Sequence, residues 1–405
     1  MELKHKKLAN GLNIIGEVNK DAQSAAAGFF VKTGSRDETD DISGTSHFLE
    51  HMIFKGTDKL SAHDVNRIFD DIGAQYNACT TEENTIYYAA TLPEQLAETV
   101  KLWCQLMRPA LRDDDFNMEK NVILEEIAMY KDLPEFDVRE SCRTLHFGSH
   151  PCSKSVLGSV ESIKALKSKQ MRKYFESRYA PNNMTAAIAG NFDFEKICNF
   201  IESLCGSWQP KKAERKTEYF AGTGKKESQK KNNLNIQHIC LMSPTVSYQD
   251  DKAYAAMLLA KIIGDEVGSR FFWELVDTAI VETASMHCEA MDGVGAFYTY
   301  VRADAKNAAK AMQIVENIFK SLNKDKITAA ELQKAKNKVL SGVTIKNEIP
   351  MGRLVELGLN WVYLGQYRPI EDEIQRVKRV TLEDLQNLIV QYPPINFTQF
   401  SIGPE

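Results

Sequence analysis

The stretch GTSHFLEHMIFKGT, residues 44–57, sets three ionisable groups, His47, Glu50 and His51, into an otherwise apolar run. Phe48, Leu49, Met52, Ile53 and Phe54 fill the positions between and after them. Ionisable side chains are rarely buried without a compensating role, so the run needs an explanation. Read as a helix over residues 45–55 that ends at Gly56, a common C-cap residue, it becomes regular. At 100° per residue, Glu50 falls at about −60° and His51 at about +40° from His47, so all three share one face. Two imidazoles four residues apart can grip one metal ion, and a carboxylate one turn along lies beside it. This is the donor set of hydrolytic zinc chemistry, in which zinc lowers the pKa of a water and the carboxylate takes its proton.

H-x-x-E-H is expected about 0.01 times by chance in a chain of this length and histidine content. The bland alternative is a pair of core histidines hydrogen-bonded to a carboxylate. A catalytic zinc with two histidines needs a third protein ligand and leaves a fourth position open. The segment DDDFNMEKNVILEEIAMYKD, residues 113–132, reads as a helix with three candidate glutamates. Glu119 and Glu126 are two turns apart and share a face with Val122 and Ile123, which predicts that this face is buried. Glu125 points about 100° away from Glu126. Geometry therefore prefers Glu126 with Glu119 behind it, while a solvated face remains the plain reading of Glu125 and Glu126 together.

The rest of the chain narrows the function class. It has 405 residues, 43% hydrophobic and 26% charged, the balance of a globular protein with room for two or three domains. A formal net charge of −5 gives no argument for a nucleic-acid, membrane or strongly acidic partner. No window approaches the roughly 18 apolar residues of a membrane helix. The start, MELKHKKLANGLNII, is basic without an apolar core, so no secretory signal is expected; NGL reads as a hairpin turn. Eight scattered cysteines without a C-x-x-C pair read as reduced thiols of a cytoplasmic protein.

Two halves follow one plan. The basic stretch KKAERKTEYFAGTGKKESQKKNN, residues 211–233, is poor in aliphatic residues and reads as a linker. This predicts an N-terminal domain over 1–212, a linker over 213–233 and a similar C-terminal domain over 234–405. In the first half AQSAAAGFFVKTG, TIYYAATL and MTAAIAGNF are strand-like. SAHDVNRIFDDIG opens with Ser61 and Asp64 at capping-box spacing and closes at Gly73, which predicts a helix. PEQLAETVKLWCQLM and DFEKICNFIESL read as further helices. In the second half IQHICLMSP and GAFYTYVRA read as strands, and KAYAAMLLAKIIG as a helix. At an offset of 216 residues Lys120, Asn121 and Leu124 recur as Lys336, Asn337 and Leu340. On that alignment Glu125 and Glu126 become Ser341 and Gly342, so only the first half carries the candidate site.

These motifs together resemble one family. HFLEHMIFKGT, NACTTEENTIYYAA, EKNVILEEI and YAPNNMTAAIAGNF look like the pitrilysin (insulinase-like) zinc metallopeptidases, whose H-x-x-E-H defines the inverzincins. The likeness is to the short branch that resembles mitochondrial processing peptidase and its bacterial relatives. It runs through nearly all of residues 5–210 and more loosely through 235–400. It implies one Zn2+ per chain held by His47, His51 and Glu126, with Glu50 as general base and Glu119 supporting a ligand. It also implies that Asn77 and Ala78 lie on an exposed strand that pairs with substrate backbone. The implied fold is α+β: two similar domains, each a mainly antiparallel sheet packed by helices, forming one half of a clamshell. A second half would come from a homodimer or from a heterodimer with a related subunit.

The implied activity is zinc-dependent endopeptidase cleavage of peptides or unfolded segments enclosed in a chamber. The alternatives are a non-catalytic subunit like the core proteins of a respiratory complex, and a specific presequence-processing subunit. One departure stands out. Many relatives carry an Arg, and a Tyr seven positions later, that hold substrate after a helix matching GSRFFWELVDTAIVETAS; here those positions are Val276 and Thr283. Neither can donate a charged or phenolic hydrogen bond. Tyr298 and Tyr300 are candidate substitutes, although aromatic alternation in a strand is more often packing.

Overall fold

The computed structural model describes residues 2–232 and 234–404. The chain forms two compact units, each discontinuous in sequence. The first comprises Met1–Ala128, Lys154–Arg215 and Thr344–Pro369; the second comprises Met129–Ser153, Lys216–Val343 and Ile370–Glu405.

The first unit is built on six strands: β1 Glu2–Lys7, β2 Asn13–Val18, β3 Ala25–Val31, β4 Gln75–Thr80, β5 Thr85–Thr91 and β6 Met184–Gly190. Their spatial order is β1-β2-β6-β3-β5-β4, antiparallel except for β2 beside β6. The sequences explain this order. β3 (AAAGFFV) is apolar at every position and β6 (MTAAIAG) at all but Thr185, and both are wholly buried, as strands covered on both faces must be. β1 (ELKHKK) and β4 (QYNACT) are largely exposed and form the two edges. The helix Pro350–Leu364 covers one face, where Leu354 and Leu357 join Ile15, Phe30, Ile86 and Ala187 in one apolar cluster. Gly358 lets it approach closely, since a Cβ there would meet the Phe30 ring at 2.2 Å. A buried Arg353–Glu17 pair, with Nε to Oε1 at 2.8 Å and Nη2 to Oε2 at 2.6 Å, pins this helix to β2.

The second unit repeats the plan with β7 Lys226–Lys230, β8 Ile236–Thr245, β9 Thr283–Ala290, β10 Gly295–Asp304 and β11 Thr398–Gly403. The order is β7-β11-β8-β10-β9, antiparallel except for β7 beside β11. The helix Pro134–Phe147 covers one face through Val138, Cys142 and Phe147, which pack with Cys240, Met242, Tyr298 and Ile402. The helices Ala253–Gly264 and Ala305–Ser321 lie in the larger apolar cluster of the other face.

Several expectations hold. The helix Ala62–Ile72 is capped by Ser61 and Asp64 and ends at Gly73 in the left-handed region. The helices Asp113–Lys131 and Ala329–Lys346 start 216 residues apart, the offset of the sequence repeat. Three expectations are corrected. The division is not a single cut near residue 212, because each sheet takes a covering helix from the other half of the chain. The basic stretch is not a linker throughout: Lys226–Lys230 forms β7, and Arg215 reaches Asp37 at 2.6 Å with its side chain 5% exposed. The segment around Phe271 is not an ordinary helix; Phe272–Val276 is a single π-helical turn. No helix among the described residues is long and apolar enough to cross a membrane.

Candidate metal centre

The H-x-x-E-H segment is helical over Thr45–Ile53, two residues shorter than predicted. Gly56 is a turn glycine at φ 93°, where a Cβ would lie 2.2 Å from the Leu60 carbonyl oxygen. Phe48, Leu49, Met52 and Ile53 are fully buried, which fixes the rotation of the helix and turns His47, Glu50 and His51 to the opposite side. Phe48 stacks on Phe116 with centroids 4.7 Å apart, so the helix Asp113–Lys131 is held against it. The helix start has no cap of its own at Gly44. Buried Glu38 supplies one: its carboxylate accepts from the Gly44 amide at 2.7 Å and the Ser46 amide at 2.6 Å. Ser46 Oγ also lies 2.7 Å from Tyr174 Oη.

Within this frame three ligand atoms converge. Glu126 Oε2 lies 3.7 Å from His47 Nε2 and 3.7 Å from His51 Nε2. The ligand atoms of the three residues all lie within 4.8 Å of one another, and no other such group occurs among the described residues. Donors around a tetrahedral zinc sit about 3.3 Å apart, so small side-chain shifts close the site. The donor set fits the metal for a second reason: Glu126 Oε2 is buried with no hydrogen-bond partner. Such a group is costly unless it has a charged ligand to satisfy.

Glu119, 5% exposed, receives His51 Nδ1 at 2.8 Å, and its other oxygen pairs with Lys55 Nζ. With Nδ1 carrying the proton, His51 Nε2 is free to be a ligand. The His51 hydrogen bond, with Lys55 in support, holds the Glu119 carboxyl below the usual carboxylate range despite its burial. Burial opposes the charge on His51, but Glu119, Glu126 and Glu50 outweigh it and raise its pKa. Burial, then His51, push His47 down to about 3, which leaves it a neutral donor. Glu50 lies outside the three-ligand cluster, and Thr80 Oγ1 donates to its Oε2. Burial raises the Glu50 pKa against that hydrogen bond, and burial also raises Glu126.

Glu125 is exposed and lies outside the cluster. Val122, expected on the buried face, is 44% exposed, while Ile123 is fully buried. Asn77 and Ala78 stand on β4, the sheet edge beside Thr80. The Ala78 amide donates to Asn77 Oδ1 at 2.8 Å. In the second unit Val276 packs against the apolar core and Thr283 opens β9, exposed. Tyr298 and Tyr300 are buried, with Tyr300 Oη 2.8 Å from His238 Nδ1. Sequence reasoning missed Glu38, Lys55 and Thr80. Only the last two had a signal: Lys55 lies one turn beyond His51, and Thr80 follows the NAC strand.

The family model described as Insulinase (Peptidase family M16) matches residues 14–159, and the Peptidase M16 inactive domain matches residues 165–339. The chain belongs to this peptidase family, known by its H-x-x-E-H as a family of zinc metallopeptidases. It is 28% identical over 404 residues to an uncharacterised zinc protease of Bacillus subtilis, YmxG, covering 98% of this chain and 97% of that one. It is 25% identical over 414 residues to the beta subunit of mitochondrial-processing peptidase of Saccharomyces cerevisiae, covering 96% and 89%. The crystal structure of a protease from Helicobacter pylori has the same fold, with a TM-score of 0.92 at 21% identity over 100% and 99% of the two chains.

Proposed function

We propose that the protein is a zinc-dependent endopeptidase acting on peptides or unfolded segments, with one zinc per chain held by His47, His51 and Glu126. The observation that carries this reading is the convergence of those three donors, with Glu50 beside them and outside the set. Bound there, zinc would act as a Lewis acid and bring a water's pKa close to neutral. The chain's own groups do the rest. Glu50, held by Thr80, takes the proton of the attacking water and returns it to the leaving amine. Its raised pKa suits that second step. His51 is kept in the ligand tautomer by Glu119. The exposed edge of β4, on which Asn77 and Ala78 stand, would pair with an extended substrate.

The retained donor set argues against a non-catalytic subunit. The changed positions Val276 and Thr283 argue against a dedicated presequence-processing subunit. As in other short members, a second half-molecule would close the chamber, either a second copy or a related chain, in the cytoplasm. Metal analysis with hydrolysis of a quenched peptide library, on the wild type and Glu50→Gln, tests the reading. Zinc without any peptide cleavage by the wild type would refute it.

A further inference from the structure

In the second unit a cavity of about 840 Å³ opens between the first turns of the helix Pro134–Phe147 and one face of the second sheet. Strand alternation decides what faces it. Ser285 and His287 on β9 pair with Tyr300 and Tyr298 on β10, so all four project from the same side of the sheet. Phe136 and Ile236 add apolar wall. An apolar lining with a few convergent polar groups, in a volume of about 300–1,000 Å³, is the usual character of a ligand site.

The positive charges around the cavity are already matched. Glu289 accepts from Arg139 at 2.6 Å and from Arg143 at 2.5 Å, and Arg302 Nε lies 3.0 Å from Glu282. Burial, then Lys261, hold His287 below its ordinary value, and burial, then Arg302, do the same for His238, so both rings are neutral at pH 7. Glu135, exposed, is the charged lining residue left without an ion pair among the described residues, so the lining offers no spare positive charge to an anionic ligand. It does offer spare hydrogen bonds. The Tyr298 hydroxyl, the Ser285 hydroxyl and the His287 ring have no hydrogen-bond partner among the described residues. Tyr298 is only 7% exposed, so its ring is held in the core.

We propose that this cavity, built wholly from the second unit, is a substrate subsite that takes an uncharged apolar side chain together with the flanking peptide groups of an extended polypeptide. The side chain fills the aromatic lining, and the peptide N–H and C=O groups meet Tyr298, Ser285 and His287. The proposal rests on the peptidase reading and names the kind of residue its substrates present.

The test uses the full chain carrying Glu50→Gln, loaded with zinc. The probe is a fluorescein-labelled unstructured peptide of about twenty residues containing Leu, Phe and Trp, beside a control with these replaced by Ser. Ser285→Trp fills the cavity from the strand, and Phe136→Ala removes wall without touching the sheet. Either change should weaken binding of the apolar peptide about ten-fold by fluorescence anisotropy, with no comparable change for the control. With Glu50 restored, the preference for the long apolar peptide over a five-residue one, as a ratio of kcat/KM, should fall by a similar factor. Unchanged binding in both variants overturns the proposal, even if peptides are cleaved. A shift of molecular mass in light scattering on Ser285→Trp also overturns it, since the cavity would then hold a second copy. Pocket-dependent binding with no cleavage by the wild type leaves the subsite standing and sinks the peptidase reading alone.

Discussion

Replacing Glu119 with glutamine tests how the centre is held. Glu119 is buried, and its two oxygens serve two cations or proton donors: His51 Nδ1 at 2.8 Å and Lys55 Nζ. An amide has one acceptor oxygen and one donor nitrogen. Lys55 can only donate, so it claims the amide oxygen, and the amide NH2 then faces His51 Nδ1. The ring must answer as an acceptor there, which puts its proton on Nε2, the atom aimed at Glu126. A ligand in the wrong tautomer, beside a lysine that has lost its carboxylate, predicts a loss of zinc affinity of about 10–100-fold, or roughly 1.4–2.7 kcal/mol. Competition with a fluorescent chelator at fixed pH measures it. The same geometry predicts partial recovery. In Lys55→Met/Glu119→Gln the amide oxygen is free to accept from Nδ1–H, so the double variant should bind zinc more tightly than Glu119→Gln alone. Wild-type affinity in Glu119→Gln, or a double variant weaker than the single one, would show that Glu119 does not set the tautomer.

Four further outcomes follow from the centre and its surroundings. Glu50→Gln should keep its zinc and lose turnover by about 10²–10⁴-fold, because the amide keeps the shape but cannot take a proton; peptide assays beside elemental analysis decide this. His47→Ala, His51→Ala and Glu126→Gln should each come off purification depleted of zinc, while Glu125→Gln, exposed and outside the cluster, should not. In the metal-free protein His47, with a folded pKa near 3, and His146, near 4, each withdraw stability as pH falls below about 6.5, because the unfolded chain takes up protons that they do not, while the raised His51 and Glu38, the latter pushed up to about 8, act in the opposite sense. Between pH 8 and 5 the stability of His47→Gln should therefore rise relative to that of the wild type, and an identical pH dependence of the two melts would count against the depressed pKa. Light scattering beside a peptidase assay should find a dimer active on its own; an inactive monomer revived only by a second protein from the source cell would point to a heterodimer.

The local parts of this structure were legible because their causes are local. The His47–Glu50–His51 face follows from helical spacing, and the helix Ala62–Ile72 from its capping box and its closing glycine. The third candidate donor was legible only in part. Two-turn spacing linked Glu119 to Glu126, yet the same argument buried Val122, which is exposed because that helix presents a narrower apolar stripe than heptad counting suggests. What escaped the sequence is what depends on distant chain segments. Glu38 caps its helix from across a loop, Thr80 reaches Glu50 from a strand thirty residues on, and the covering helices trade places between halves. Composition misread the basic stretch for a related reason, since lysine-rich β7 pairs at a sheet edge where its side chains stay exposed.

The Arg353–Glu17 pair has a consequence for how the molecule is made. Its two members are 336 residues apart, and they meet under the sheet that carries the metal helix. During synthesis the strands of the first unit leave the ribosome long before the helix Pro350–Leu364 exists. Until then one face of β2, β3 and β6 is bare, and Glu17 has no guanidinium to meet. At about 5–20 residues per second, that interval lasts tens of seconds. The nascent first unit therefore keeps an apolar face uncovered until most of the chain has been made. A fragment ending near residue 212, however complete its H-x-x-E-H and its glutamates, would carry all three candidate donors and still lack the helix that covers one face of its sheet.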